Sequence, residues 1–362
     1  MFDGIELNEW SQRAEYWVSE TQQDRKKPRR RERQIEALIL CGHGMSLRVD
    51  AGTLHIRNGL THHPQQREEF RFFKGAPSIP PRIIVLDGSG YVSFDVLDWL
   101  AEQRVSLVRL DWQGSVVSVL TGTGFAAHRV KVQWQVETRA DPRRRMAFAS
   151  RVIREKLSNS IVTLETAIPA SPARERAIAR HRRDLDTLSS SRPPGIDQLL
   201  GIEGPASGAY FKAWEGLPLQ WAGTSRRPIP DDWRVIGTRS SVRISKAENV
   251  GATHPLNAVL NLAYAVLQTR LRIQVVADGY DPTLGILHSG RRGEPALVFD
   301  LMEPNRPKVD AAVLGFALSE TFSPADFVLR SDGVVRLAPQ LARRVCQLAD
   351  QVPLALVELR PR

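Results

Sequence analysis

The spacing of apolar residues changes at a pair of glycines, Gly122 and Gly124, and this change limits the folds open to the chain. Before the pair, short apolar runs alternate with turn residues, which is typical of β-strands. After it, apolar residues recur every three or four positions, which indicates amphipathic helices. We therefore predict an α+β protein, in which a small N-terminal β-rich domain (residues 35–122) precedes a larger, mainly α-helical domain (residues 126–352).

The local pattern also predicts the individual elements. In the β-rich part we expect one helix at 94–103 and strands at 38–40, 47–49, 54–57, 82–86, 105–108 and 115–120. In the second part, one helix begins near Pro255, and others are predicted at 126–139, 142–167, 308–320 and 339–351. Thr253 is placed to cap the helix at Pro255, and the proline suits its first turn. Serine, proline and glycine predict a loop at 183–198.

Two segments at the ends of the sequence lie outside the two predicted domains. Residues 22–34 read QQDRKKPRRRERQ and contain no apolar residue that could anchor them. We predict that residues 1–34 form a basic, flexible arm, which is also suited to lie on DNA phosphates. Residues 353–362 are predicted to form a tail.

The overall charge favours a polyanionic partner. The 362 residues include 50 Lys and Arg against 40 Asp and Glu, a net charge of +10, and arginine is well suited to phosphate contacts. No apolar run of about 18 residues occurs, so we expect no membrane span. The first residues lack the pattern of a secretory signal, and the two cysteines, Cys41 and Cys346, are far apart. We therefore expect a cytoplasmic protein with buried thiols.

Three short segments in the helical part contain the residues best suited to chemistry. They centre on Glu203, His288 and Asp300. Taken singly, each has a structural interpretation: a carboxylate at a helix start, a loop histidine, and a helix cap. Glu303 and Arg306 could likewise form a surface ion pair at i,i+3 spacing.

Taken together, the segments resemble the CRISPR-associated spacer-acquisition integrase family. Residues 203–211 fit its E-G-x-A-x-x-x-Y-F motif, and residues 281–288 fit D-P-x-x-G-x-L followed by histidine. Residues 300–310 fit D-L-[MA]-[ED]-x-x-R-P-x-x-D, and the helix at 255–261 resembles the P-x-N-A-L-L-x helix that precedes this region. The match covers roughly residues 35–350, and it is looser in the β-rich part.

The resemblance implies a metal-dependent DNA integrase and endonuclease. Glu203, His288 and Asp300 are then the catalytic metal ligands, and Glu303 lies beside them. Carboxylates suit Mg²⁺ or Mn²⁺, and one imidazole favours Mn²⁺. In this reaction, a donor 3′-hydroxyl attacks a phosphodiester at the edge of a repeat. The residues expected to contact DNA are Arg291, Arg292, Arg306, Lys308, Arg243 and Lys246.

The same resemblance implies three partners. They are double-stranded DNA as donor and repeat target, a second copy in a homodimer, and a small CRISPR-associated adaptation protein. Two alternatives stay open. One is a transposase of a mobile element with a related catalytic domain, and the other is a non-catalytic scaffold that binds DNA.

Overall fold

The computed structural model describes residues 4–25, 32–65, 67–111, 114–120, 127–190, 195–237, 241–245, 248–290, 293–355, 357 and 359. Helix α1 (Gly4–Gln23) precedes a six-stranded sheet with the order β3-β2-β1-β4-β5-β6. Its strands are β1 (Leu38–Asp50), β2 (Thr53–Arg57), β3 (Glu69–Phe72), β4 (Arg82–Val92), β5 (Ser106–Leu110) and β6 (Val116–Leu120). The three central strands are parallel, and antiparallel neighbours flank them on both sides.

Both faces of this sheet are covered. Helix α2 (Phe94–Gln103) connects β4 to β5 and buries Trp99 against the face that carries Leu38 and Leu40. Side chains on the opposite face, such as Ile39 and Ile84, belong to the core of the helical part. Burial on both faces explains why the central strands read as continuous apolar runs.

The remaining residues form the helical part. It contains α3 (Arg129–Ala140), α4 (Pro142–Ala167), α5 (Pro172–Ser190), α6 (Ile196–Lys212), α7 (Pro255–Ala277), α8 (Ala296–Met302), α9 (Arg306–Ser319) and α10 (Pro339–Gln351). Short paired strands connect them: β7 (Gln220–Trp221) with β10 (Thr321–Phe322), β8 (Ser241–Ser245) with β9 (Glu248–Ala252), and β11 (Phe327–Leu329) with β12 (Val335–Leu337). The predicted α+β class is confirmed.

Several local predictions differ from the structure; for example, the strands predicted at 38–40 and 47–49 form the single strand β1. The segment predicted as a loop at 183–198 is mostly helical, because α5 continues to Ser190 and α6 begins at Ile196. The hydroxyls of Ser189 and Ser190 donate to carbonyls four residues earlier, so these serines are accommodated in the helix. His254, rather than the predicted Thr253, caps α7, and its Nδ1 accepts the N–H of Leu256 at 3.2 Å.

The predicted flexible arm is largely a docked helix. The indole of Trp17 on α1 is 1% exposed and packs near Phe316 and Phe322. Arg13 forms two hydrogen bonds with Asp326, at 2.7 and 3.0 Å, and the indole N–H of Trp17 donates to the same carboxylate. These contacts anchor α1, and the basic residues at 26–31 lie outside the described part of the chain.

Ion pairs join the sheet to α10. Arg82 at the start of β4 contacts both carboxylate oxygens of Asp350, and Arg343 binds Glu68, which precedes β3. Asp350 also accepts the backbone N–H of Ala37. The sheet is therefore fixed against the helical part by charged groups with several partners each. Among the described residues, no helix is long and apolar enough to span a membrane.

Candidate metal centre between helices α4, α6 and α8

Asp300 organises the loop that carries His288. This aspartate lies in α8 and is fully buried. Its carboxylate accepts the backbone N–H groups of Ile286 at 2.6 Å, Leu287 at 3.0 Å and His288 at 2.8 Å. It also lies 2.8 Å from Nδ1 of His288, so this nitrogen carries the proton when the carboxylate is ionised. In the neutral form of the imidazole, Nε2 is then the nitrogen with a free lone pair.

Two arginines hold the same loop from its carbonyl side. Arg139 at the end of α3 donates to the carbonyls of Gly285 at 2.6 Å and His288 at 3.2 Å. Arg145 in the first turns of α4 donates to the carbonyls of Ile286 and Leu287. The backbone of 285–288 is thus bound by one buried carboxylate and two guanidinium groups. These seven contacts fix the position of the imidazole without contacting its Nε2.

Gly285, the first residue of this loop, is needed for close packing. A Cβ atom at Gly285 would lie 2.7 Å from both the carbonyl oxygen of His288 and the Cβ of Ala296. Such distances are too short for any side chain. The glycine of the D-P-x-x-G motif therefore allows the loop to fold back on the start of α8.

Two glutamates meet at one ammonium group. Glu203 lies in α6, and Glu303 lies at the turn that follows α8. Lys156 of α4 donates to Oε1 of Glu203 and, at 2.6 Å, to Oε2 of Glu303. Ser207 also donates to Glu203, and Arg306 donates to the other oxygen of Glu303 at 2.8 Å. Both carboxylates therefore face the same ammonium group.

His288 and Glu303 influence each other's pKa. The hydrogen bond with Asp300 raises the pKa of His288 despite partial burial, and the charge of Glu303 acts in the same direction. Burial favours a higher pKa for Glu303, but the positive charges of Arg306, Lys156 and His288 together outweigh it and lower that pKa. Glu303 is therefore ionised at neutral pH and interacts with the imidazole.

The structure thus brings Glu203 and Glu303 to one ammonium group, places His288 within electrostatic reach of Glu303, and places Asp300 behind the histidine. As arranged here, no group of three His, Cys, Asp or Glu side chains in the described ranges forms a ready-made metal site. The ammonium of Lys156 lies between the two glutamates instead. Sequence reasoning missed Lys156, Arg139 and Arg145, because their contacts cross between distant helices and the loop.

The predicted DNA-contacting residues have different positions. Arg306 binds Glu303, and its guanidinium lies 5.7 Å from the ring centroid of Tyr264. Lys308 is partly exposed on α9, and Arg243 belongs to β8. Lys246, Arg291 and Arg292 lie outside the described residues, so their predicted roles stay predictions.

Two further motif residues connect helices around the centre. The hydroxyl of Tyr210 in α6 donates to Oδ2 of Asp310 in α9 at 3.0 Å, and that of Tyr264 in α7 donates to Oδ1. Asp310 is 1% exposed. The tyrosine of the first motif and the last aspartate of the third motif therefore join α6 to α9, which keeps Glu203 near Glu303.

Comparisons with known proteins identify similar chains. The family model described as CRISPR associated protein Cas1 matches residues 38–351. A CRISPR-associated exonuclease Cas4/endonuclease Cas1 fusion from Geobacter sulfurreducens is 26% identical over 72% of this chain, and the match spans only 44% of that longer relative.

Solved structures share the fold. A casposase bound to integration product superposes with a TM-score of 0.71 at 22% identity, covering 88% of this chain and 82% of that one. A chain of a Cas6-RT-Cas1–Cas2 complex gives a TM-score of 0.61 at 17% identity, covering 88% of this chain and 32% of that one.

Proposed function

Because the chain belongs to the Cas1 family of CRISPR-associated proteins, we propose that it is a divalent-metal-dependent DNA endonuclease and integrase of CRISPR adaptation. It joins the 3′-hydroxyl ends of short donor DNA to a repeat array. The observation that carries this proposal is the convergence of Glu203 and Glu303 on a single cation, next to the oriented imidazole of His288.

The chemistry of the donor atoms fits a hard divalent cation. Carboxylate oxygens suit Mg²⁺ and Mn²⁺, and one imidazole nitrogen shifts the preference toward Mn²⁺. Glu203, Glu303 and Nε2 of His288 would hold the ion, which when bound polarises the phosphate and offsets the charge that develops at it. Asp300 was predicted from the sequence as a ligand. Its four N–H contacts inside the protein favour instead a role in orienting His288.

The residues of the chain have distinct tasks in strand transfer. Asp300, Arg139 and Arg145 hold the histidine in one orientation, which reduces the reorganisation needed when DNA binds. In the reaction, the donor 3′-oxygen forms a bond to phosphorus, and the bond from phosphorus to the target 3′-oxygen breaks. The hydroxyl proton passes to water, and the displaced target strand keeps the electron pair and becomes a new 3′-hydroxyl after protonation. The number of phosphodiester bonds is conserved.

Basic residues near the centre position the DNA strands in this proposal. Arg306 and Lys308 follow Glu303 on α9, and Arg243, Lys246, Arg291 and Arg292 add positive charge on neighbouring segments. Contacts of this kind bind phosphates and set the register without reading the base sequence.

The proposed assembly is a homodimer with a small CRISPR-associated partner on double-stranded DNA, in the cytoplasm. The likeness to a chain of a Cas6-RT-Cas1–Cas2 complex supports a small Cas partner, and the net charge of +10 supports DNA as a partner. Two copies would supply two centres, one for each target strand.

A second candidate function is transposition of a mobile element, which the likeness to a casposase favours. The cleavage and joining chemistry would be the same, so the target distinguishes the two. Joining that depends on repeats in the plasmid supports CRISPR adaptation. Equal joining to plasmids with and without repeats supports a transposase.

Strand joining tests the proposal directly. Purified protein, with and without the small partner, is mixed with a 3′-hydroxyl donor duplex and a supercoiled plasmid that carries repeats, in Mn²⁺ or in EDTA. We expect joined products only in Mn²⁺, and their loss in His288→Ala. If wild type and variant are equally inactive under all conditions, a DNA-binding scaffold is the better description.

A further inference from the structure

Lys156 occupies the position between the glutamates at which a divalent cation would be bound. We propose that its ammonium group is an internal counter-ion, which neutralises Glu203 and Glu303 in the metal-free protein and is displaced when metal binds. This inference rests on the proposed metal-dependent function and adds a specific role for a residue outside the predicted ligand set.

The burial of the three side chains explains why a counter-ion is needed. The side chains of Lys156, Glu203 and Glu303 are 14%, 18% and 6% exposed. Two largely buried carboxylates that converge on one point repel each other, and the repulsion is stronger there than in water. A positive charge between them offsets this repulsion, so the protein can fold around the site before any metal arrives.

The surroundings allow the lysine to leave while both carboxylates stay in place. After the ammonium leaves, Glu203 still accepts from Ser207 and Glu303 still accepts from Arg306, so both carboxylates keep a partner that orients them. Asn159, one turn after Lys156, donates to the carbonyl of Pro304 at 2.8 Å and keeps α4 fixed to the turn that carries Glu303. The flexible stem of the lysine can therefore move while the helix does not.

If metal displaces the ammonium of Lys156, removing this lysine should change metal affinity in a different direction than if the lysine only formed a structural ion pair. A competing ammonium weakens metal binding, because its contacts must be broken first. We expect Lys156→Met to bind Mn²⁺ about tenfold more tightly than wild type in a titration followed by electron paramagnetic resonance. Arg154→Met removes a positive charge from an exposed position on the same helix and should leave the affinity within about twofold of wild type.

Unchanged or weaker Mn²⁺ binding by Lys156→Met would overturn the inference, because the lysine would then support the carboxylates rather than compete with the metal. If neither wild type nor this variant binds Mn²⁺, the proposed metal-dependent function fails together with it. If wild type binds Mn²⁺ and the variant is no tighter, only the role of Lys156 fails.

A second measurement uses the wild-type protein, so it does not depend on the folding of a variant. An amine-acylating reagent is applied with and without saturating Mg²⁺, and the labelled lysines are quantified by peptide mass spectrometry. We expect labelling of Lys156 to rise several-fold with Mg²⁺, since its ammonium leaves both carboxylates. Lys212 is 70% exposed on α6, and its labelling should stay constant. Constant labelling of Lys156 in metal-bound protein would contradict the displacement.

Discussion

Nδ1 of His288 lies 2.8 Å from Oδ1 of Asp300, and this aspartate is fully buried while the histidine side chain is 39% exposed. The pair therefore has one member inside the protein and one that is partly exposed to solvent. Because the carboxylate also accepts three backbone N–H groups of the loop, it fixes both the path of the backbone and the direction of the imidazole. This arrangement separates orienting residues from those that would contact a metal.

Replacing Asp300 by asparagine tests that separation. The amide nitrogen cannot accept, so at least one buried N–H of the loop loses its partner. The free energy of unfolding should then fall by about 1–3 kcal/mol in urea titrations. Mn²⁺ affinity should fall about 10- to 100-fold, since the imidazole is no longer held. A variant with unchanged stability and no detectable Mn²⁺ binding would indicate that Asp300 is a direct ligand.

Glu303→Gln is the matched comparison. In this variant, metal affinity should fall more, and stability less, than in Asp300→Asn. The glutamine keeps the shape of the side chain and one oxygen that can accept from Arg306 or Lys156, but it loses the negative charge. We expect Mn²⁺ affinity to fall by at least about 100-fold, with a smaller loss of stability than in Asp300→Asn. Titrations of Mn²⁺ and urea on the same preparations measure both quantities. Normal Mn²⁺ binding by Glu303→Gln would remove Glu303 from the ligand set.

The guanidinium of Arg145 gives a third prediction. It donates to the carbonyls of Ile286 and Leu287, so Arg145→Met frees the loop that carries His288. We expect Mn²⁺ affinity to fall about tenfold, because groups that orient a ligand commonly contribute on this scale. Arg143→Met changes an exposed residue in the same helical turn and should leave the affinity unchanged. If both variants behave alike, the effect is one of net charge rather than loop position.

Sequence reasoning was most successful where the information is local. The helix at 94–103 and the helix at 339–351 were predicted with the bounds that the structure shows, because their apolar spacing is regular. The motif residues Glu203 and His288 were identified from flanking residues. Whether they bind metal stays a prediction.

Contacts between distant segments could not be predicted in this way. Lys156 is 47 residues from Glu203 and 147 from Glu303, and in the sequence it is one charged residue in a basic helix. Trp17 donates to Asp326, which is 309 residues away, so nothing near α1 indicates that the helix is docked. The basic run at 22–34 instead suggested a flexible arm. Neither of these two contacts is marked by a sequence pattern near the residues that form it, so neither could be predicted from the sequence.

The docking of α1 gives a fourth prediction. Trp17 is almost fully buried, and its indole donates to the buried carboxylate of Asp326 at 2.7 Å. Trp17→Ala should therefore lower the free energy of unfolding by about 3–5 kcal/mol, if α1 unfolds together with the rest of the chain. Ser19→Ala changes an exposed position on the same helix and should have little effect. Equal stability of Trp17→Ala and wild type in urea titrations would mean that α1 is not docked in solution.

The ion pair between Glu68 and Arg343, at 2.9 Å, makes the attachment of the sheet to α10 dependent on pH. Burial favours a higher pKa for Glu68, but the charge and hydrogen bond of Arg343, with the hydrogen bond of Asn58, outweigh it and lower the pKa. A carboxyl whose folded pKa lies below its unfolded value stabilises the protein above that unfolded value, near 4.5, and this contribution is lost as the pH falls through the folded pKa. Wild type should therefore be more stable than Glu68→Gln at pH 7, and the difference should shrink steadily below about pH 4.5. Urea titrations of both proteins between pH 7 and pH 3 measure this, and a constant difference across that range would exclude the ion pair as its origin.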